Sequence, residues 1–201
     1  MSSLGRASRS SGDAQPHVVA VCGSRREGSH TRRALQEALA SVEAAGGTTE
    51  LLDLAELDLP PLNTDVKEAG DGDVVRRMIR EADAVILGTP MYHGSYSGVL
   101  KNALDYCGFT EFEDTTVGLL VVSGGPFPTP ALTHLRDVCR SLNAWALPYQ
   151  AAVPQAGTAF DEDGFTDEGL RERVRTLGVR AVEYAAIEPR EVRAAQLREV
   201  N

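Results

Sequence analysis

The stretch His17-Val18-Val19-Ala20-Val21-Cys22, continued by Gly23-Ser24-Arg25-Arg26-Glu27-Gly28-Ser29-His30-Thr31, decides how the rest of the chain is read. Its first part is a short, continuous apolar run without alternation, the pattern of a strand covered on both faces. A polar, glycine-containing loop follows. Then Ala34, Leu35, Ala38, Leu39 and Val42 recur at helical spacing until Gly46-Gly47 stops the helix. The unit is therefore strand, loop, helix, and it repeats along the chain.

Glu50 to Leu54 reads as a second strand, trailed by an irregular stretch around Pro60-Pro61, and Val74, Val75, Met78, Ile79 and Ala82 mark a second amphipathic helix. Ala84 to Gly88 is a third strand, followed by a helix from about Gly98 to Cys107 and a loop of mixed polarity. Val117 to Val122 is a fourth strand. Pro130 suits the first turn of a helix that carries Leu132, Leu135, Val138 and Leu142 on one face. Trp145 to Val153 reads as a fifth strand. Leu170, Val174, Leu177 and Ala181 give a last long helix ending before Pro189. Alternation of this kind predicts an α/β fold, a parallel sheet with helices on both faces. Right-handed crossovers leave chiefly a five-stranded doubly wound sheet. Ligands of such sheets sit outside the carboxyl ends of the strands, where the winding reverses. The loops after strands one, three and four are thus where function is expected.

A length of 201 residues, 42% of them hydrophobic, suits one domain with a sizeable core. That domain is expected over residues 17–187, after a leader at 1–16 and before a tail at 188–201. The leader is rich in Ser and Arg and has no apolar stretch, so it is not a secretory signal. It is read as disordered, with a loose likeness to an organellar transit peptide; the tail is read as a helical extension or a disordered segment. A net charge of -9 lacks the basic footprint that nucleic-acid binding requires. No apolar run approaches the roughly 20 residues of a spanning helix. Cys22, Cys107 and Cys139 lie far apart with no CxxC pair, which argues against a disulfide framework or a zinc site and fits a reducing compartment, hence the cytoplasm. Only Lys67 and Lys101 are lysines; genome composition and adaptation to high salt both account for the bias towards arginine.

The first loop meets a helix N-terminus, where free backbone N–H groups and the dipole favour an anion. Ser24, Ser29 and Thr31 add hydroxyl donors, and arginine can chelate phosphate oxygens. The plainer reading is an ordinary helix start with Ser29 as N-cap, two solvated arginines and His30 as a bystander. Other phosphate motifs fail: there is no Lys for a Walker loop, no GxGxxG, and the residue six after Cys22 is Gly28 where a small cysteine phosphatase needs Arg. The second loop, Thr89-Pro90-Met91-Tyr92-His93-Gly94-Ser95-Tyr96-Ser97-Gly98, mixes small residues with aromatics. The third, Ser123-Gly124-Gly125-Pro126, leaves its strand with two glycines. Each is also readable as a plain turn.

Taken in order, Gly23, Ser24, Arg26 and Ser29, then Pro90, Tyr92, Gly94 and Ser95, then Leu100 to Asp105, then Ser123 to Gly125 resemble the NADPH-dependent FMN reductase family of flavodoxin-like proteins. The resemblance spans about residues 17–187. It implies a three-layer flavodoxin-like sandwich binding FMN, with Ser24, Arg26, Ser29 and Thr31, flanked by His30, at the phosphate. Pro90, Met91, Tyr92, His93, Gly94 and Ser95 would line the ribityl chain and ring, and Ser123, Gly124 and Gly125 the pyrimidine end. It further implies a homodimer or homotetramer with NADPH or NADH as donor. Hydride would pass to flavin N5 and on to a quinone, free flavin or another small acceptor. Three departures stand out: Met91 where many relatives carry Glu, His93 where they carry Asn, and Pro126-Phe127-Pro128 where a further glycine-rich stretch is usual. The rival reading is an FMN-binding electron carrier serving a protein partner. The loop arginine and the Leu-Lys-Asn helix favour the reductase.

Overall fold

The computed structural model of the chain describes residues 15–66 and 70–185. The expected leader and tail fall largely outside these residues. Five strands, β1 (His17–Cys22), β2 (Thr48–Asp53), β3 (Ala84–Pro90), β4 (Thr116–Val122) and β5 (Trp145–Val153), form one sheet in the order β2-β1-β3-β4-β5. Every pairing is parallel. The helices are α1 (His30–Ala44), α2 (Gly72–Glu81), α3 (Gly98–Asp105), α4 (Phe109–Phe112), α5 (Thr129–Ser141), α6 (Ala156–Ala159) and α7 (Glu168–Tyr184).

The pleat of β1 shows why its sequence carries no alternation. Val18, Ala20 and Cys22 belong to the core beneath α1 and α7, whereas Val19 and Val21 belong to the core beneath α2, α3 and α5. Both faces of the strand are covered, so both sets of side chains are apolar. The result is three layers, with the winding direction reversing between β1 and β3. That reversal brings the loops after β1 and β3 side by side at the carboxyl edge of the sheet, and β4 carries the third loop next to them.

Three elements differ from the sequence-based expectation: α4, α6 and the edge strand β5. The segment between α3 and β4 holds the short helix α4, which buries Phe112 completely; four residues are too few to show a helical period. The edge strand β5 is not regular. Val117 pairs with Ala146 and Leu119 with Gln150, so Leu147, Pro148 and Tyr149 stand opposite Gly118 alone. Proline gives no N–H to a ladder, and a bulge on an edge strand is where a sheet tolerates it. Arg136 of α5 covers the irregularity, its guanidinium donating to the carbonyls of Leu147 (2.9 Å) and Pro148 (3.1 Å) and to Gln150 Oε1 (2.8 Å).

Asn102 of α3 holds the irregular stretch after β2. Its amide donates to the carbonyls of Leu59 (3.2 Å) and Pro60 (3.0 Å), and its oxygen accepts from the N–H of Leu62 (3.0 Å). The asparagine of the Leu-Lys-Asn run thus has a structural use that its sequence context did not disclose. Among the described residues no helix is long and apolar enough to cross a membrane, and no group of His, Cys, Asp and Glu side chains is placed to hold a metal.

Candidate functional site

The site is built at the ends of β1, β3 and β4. Gly23 follows β1 directly and lies against α3: a Cβ added there would come within 2.7 Å of Leu100 Cβ and 3.0 Å of the Gly88 carbonyl. Only glycine allows β1 to leave the sheet at this point. Its N–H donates to Gly88 O (2.8 Å), and its carbonyl accepts from the Ser97 hydroxyl (2.6 Å). Ser97 is also the N-cap of α3, its hydroxyl accepting from Leu100 N (3.1 Å), and its own N–H donates to the buried Thr89 hydroxyl (2.9 Å). The first loop, the second loop and α3 are therefore one hydrogen-bonded body. Sequence reasoning missed Thr89 and Ser97 in this role; the N-cap position of Ser97 was legible, its bond to Gly23 was not.

Within the first loop, Ser24 and Ser29 are buried and each accepts one backbone N–H: Ser24 from Arg26 (3.4 Å) and Ser29 from Arg32 (3.2 Å). A hydroxyl that accepts still has its own hydrogen to donate. Ser29 is thus the N-cap of α1, as the plainer reading expected. Gly28 takes φ of +64° to turn the chain into the helix. Among the described residues the N–H groups of Gly28, Ser29, His30 and Thr31 find no acceptor, so the helix presents open donors and its positive dipole end. The side chains of Arg25 and Arg26 are exposed and have no acceptor among the described residues. Arg32, by contrast, is committed to an ion pair with the buried Asp53 at the end of β2, and that bond raises its pKa.

Thr31 is buried in the first turn of α1. His30 sits at the edge of the loop, its ring stacked on Phe160 with centroids 5.0 Å apart and planes 12° apart. Burial, together with Arg26 and Arg33, lowers its pKa, so the ring favours the neutral state. Cys22 is fully buried behind the loop and its thiol is pushed up to about 11, chiefly by burial. Burial likewise pushes Cys107 and Cys139 up to about 12. Burial thus favours the protonated thiol at all three positions.

The second loop is a tight hairpin. Tyr92 N donates to Ser95 O (2.9 Å) and Ser95 N to Tyr92 O (3.0 Å), while His93 and Gly94 have φ of +51° and +80°. Two central residues with positive φ are the mark of a type I′ turn. Asn and His are both among the residues that enter this region most readily, so His93 keeps the turn that Asn would make. Met91 N donates to Val122 O (2.8 Å), tying the hairpin to the end of β4. Pro90 and Met91 are half-buried and Tyr92 is exposed.

In the third loop Ser123 is fully buried, its N–H donating to Val153 O (2.8 Å) and its hydroxyl accepting from Gly125 N (3.1 Å). A Cβ added at Gly124 would meet nothing within 4 Å. The glycine leaves an open face rather than relieving a clash. Phe127 stands beyond it, exposed. Two hollows adjoin these elements. One, of about 510 Å³, runs between α3 and α5; the other, of about 300 Å³, lies between α1 and residues 160–165. The strand-end loops form a shelf, and it is their donor chemistry that marks them out.

The model of the NADPH-dependent FMN reductase family matches residues 16–158. The chain belongs to that family. The FMN-dependent NADPH-azoreductase of Staphylococcus saprophyticus is 37% identical over 150 residues, covering 72% of this chain and 80% of its own. The enzyme of the same description from Staphylococcus aureus gives the same figures. Among solved structures, a flavoenzyme NAD(P)H:(acceptor) oxidoreductase from Paracoccus denitrificans superposes with a TM-score of 0.69 at 22% identity, covering 85% of this chain and 97% of that one. An archaeal flavodoxin superposes at 0.62 and 10% identity, covering 85% and 99%. The fold is flavodoxin-like, as the sequence implied, and this FMN reductase family member is an FMN-dependent NAD(P)H oxidoreductase. The strand ends carry groups of the kind such a cofactor needs: among the described residues, helix N–H groups and two arginines without an acceptor, and the uncovered backbone of Gly124.

Proposed function

We propose that the loops after β1, β3 and β4 bind FMN and that the enzyme uses NADPH to reduce a small, flat electron acceptor such as a quinone, an azo compound or a free flavin. The observation that carries this is the joining of the first two loops through Ser97 at the winding reversal, with the second loop tied by Met91 N to the end of β4, open donors on one side and open glycine backbone on the other. Ser24, Arg26, Ser29, Thr31 and the first N–H groups of α1 take the phosphate, with His30 alongside. Pro90 to Ser95 give an apolar shelf with a fixed turn, and Ser123 to Gly125 offer backbone and hydroxyl to the polar edge of the ring. Bound FMN supplies the hydride-accepting and electron-donating centre, and the chain supplies position and electrostatics. A catalytic acid–base pair is not required for that division of labour. The likeness to an azoreductase over most of the chain supports an acceptor of that size class. The free, protonated thiols suit a reducing compartment, and we place the enzyme in the cytoplasm as a homodimer.

The test is NADPH oxidation by the FMN-loaded protein with a quinone, an azo dye and free FMN offered in turn. Turnover with at least one of them is expected. A bound flavin that exchanges electrons only with a redox protein would instead establish the electron-carrier reading.

A further inference from the structure

His134 lies on α5, 39 residues from the hairpin, yet its Nδ1 is 3.0 Å from the Ser95 hydroxyl and its ring meets Tyr96 edge-on, with centroids 6.5 Å apart. Ser95 closes the type I′ turn through both of its backbone groups, so the side chain is the only part of it free to change partners. We propose that His134 is a positioning residue that sets whether the Ser95 hydroxyl donates or accepts towards the flavin shelf. The proposal rests on the reading that Ser95 borders the flavin.

The chemistry follows from the inventory of donors. With Nδ1 unprotonated, the imidazole accepts the Ser95 hydrogen, and Ser95 Oγ has only lone pairs to offer a second partner. When the ring carries both protons, Nδ1–H donates to Ser95 Oγ and the serine hydrogen turns outward. One proton on His134 therefore converts Ser95 from an acceptor into a donor. A donor there favours added negative charge on a ring lying against the loop. Histidine is the side chain whose ordinary titration falls between about pH 5 and 8. The other groups facing His134 are Tyr96 on the hairpin, Lys101, Asp105 and Cys107 on and just after α3, and Asp137 on α5, all lining the same hollow. They are mixed in charge, with one lysine against two carboxylates.

Two measurements test the idea. The first needs no flavin: the chain has four histidines, so imidazole NMR on the apo protein can resolve each of them. Ser95→Ala is expected to shift the tautomer balance and titration of His134 and to leave those of His17 unchanged. The second is the rate of anaerobic flavin reduction by NADPH across about pH 5–8. Wild type is expected to show an inflection worth about two- to tenfold, the weight of one hydrogen bond. His134→Asn keeps a fixed polar partner for Ser95 and is expected to bind FMN normally with a flat profile; Ser95→Ala is expected to flatten the profile as well. An inflection that persists in either variant, or a His134 signal indifferent to Ser95→Ala, overturns the proposal. Failure of the wild-type protein to bind FMN would strike the flavin reading and leave the NMR result standing on its own.

Discussion

Arg26→Ala is expected to weaken FMN binding about tenfold to a hundredfold and to leave riboflavin binding unchanged. The argument is one of unspent donors. Arg26 is exposed at the mouth of a loop whose helix N–H groups are also open, and it has no acceptor among the described residues. A hydrogen bond to a charged group contributes about 1.5–3 kcal/mol, and each 1.4 kcal/mol is about a factor of ten in affinity. Riboflavin lacks the phosphate and cannot register the loss. Arg32, six residues further on and inside α1, is not interchangeable with Arg26, because its guanidinium is held by Asp53. Titration of flavin fluorescence with both ligands decides the matter. Equal weakening for FMN and riboflavin would place Arg26 at the ring or in the fold instead.

The second large effect is on stability. Gly178→Ala is expected to cost about 3 kcal/mol, or roughly 6–12 °C in Tm for a chain of this length. Gly178 lies on α7 where that helix crosses α1. An added Cβ would stand 2.2 Å from the Ala38 carbonyl oxygen and 2.2 Å from Ser41 Oγ. The carbonyl is backbone and cannot swing aside. The serine is fixed too, its single hydroxyl hydrogen shared between Ala38 O (2.7 Å) and Arg175 O (2.8 Å). The two helices would have to separate, opening the core that Leu35, Ala38, Val174 and Leu177 share with β1. Gly157→Ala is the control, since a Cβ there meets nothing within 4 Å. Thermal unfolding followed by circular dichroism gives the comparison. A Gly178→Ala midpoint within about 2 °C of wild type would mean that the helices part at little cost.

The contrast between these two positions shows what a sequence exposes. The strands were legible because burial on both faces leaves a bare apolar run, as in Val18 to Cys22 and Val117 to Val122. Their parallel order followed from the intervening helices, and with it the edge of the sheet where a ligand belongs. The loop residues proposed for the phosphate follow from that place together with the family resemblance. Gly178 does not: inside a helical period it is one more small residue, and its necessity comes from a carbonyl 140 positions away in the chain (Ala38). The same holds for the bonds that assemble the site. Ser97 meets Gly23 across 74 residues, Arg32 meets Asp53 across 21, and His134 meets Ser95 across 39. No local pattern encodes such pairs, because each is made by two segments that only the finished sheet brings together. α4 and α6 escaped for a different reason, being single turns. His30, counted among the residues around the phosphate, has its ring committed to Phe160, a partner from a segment that showed no periodicity.

The most direct test of the whole account is the visible spectrum of the purified protein, recorded after addition of FMN and followed anaerobically as NADPH is introduced. A bound flavin whose absorbance bleaches on adding NADPH is the predicted result. A protein that neither carries flavin nor binds added FMN would contradict it.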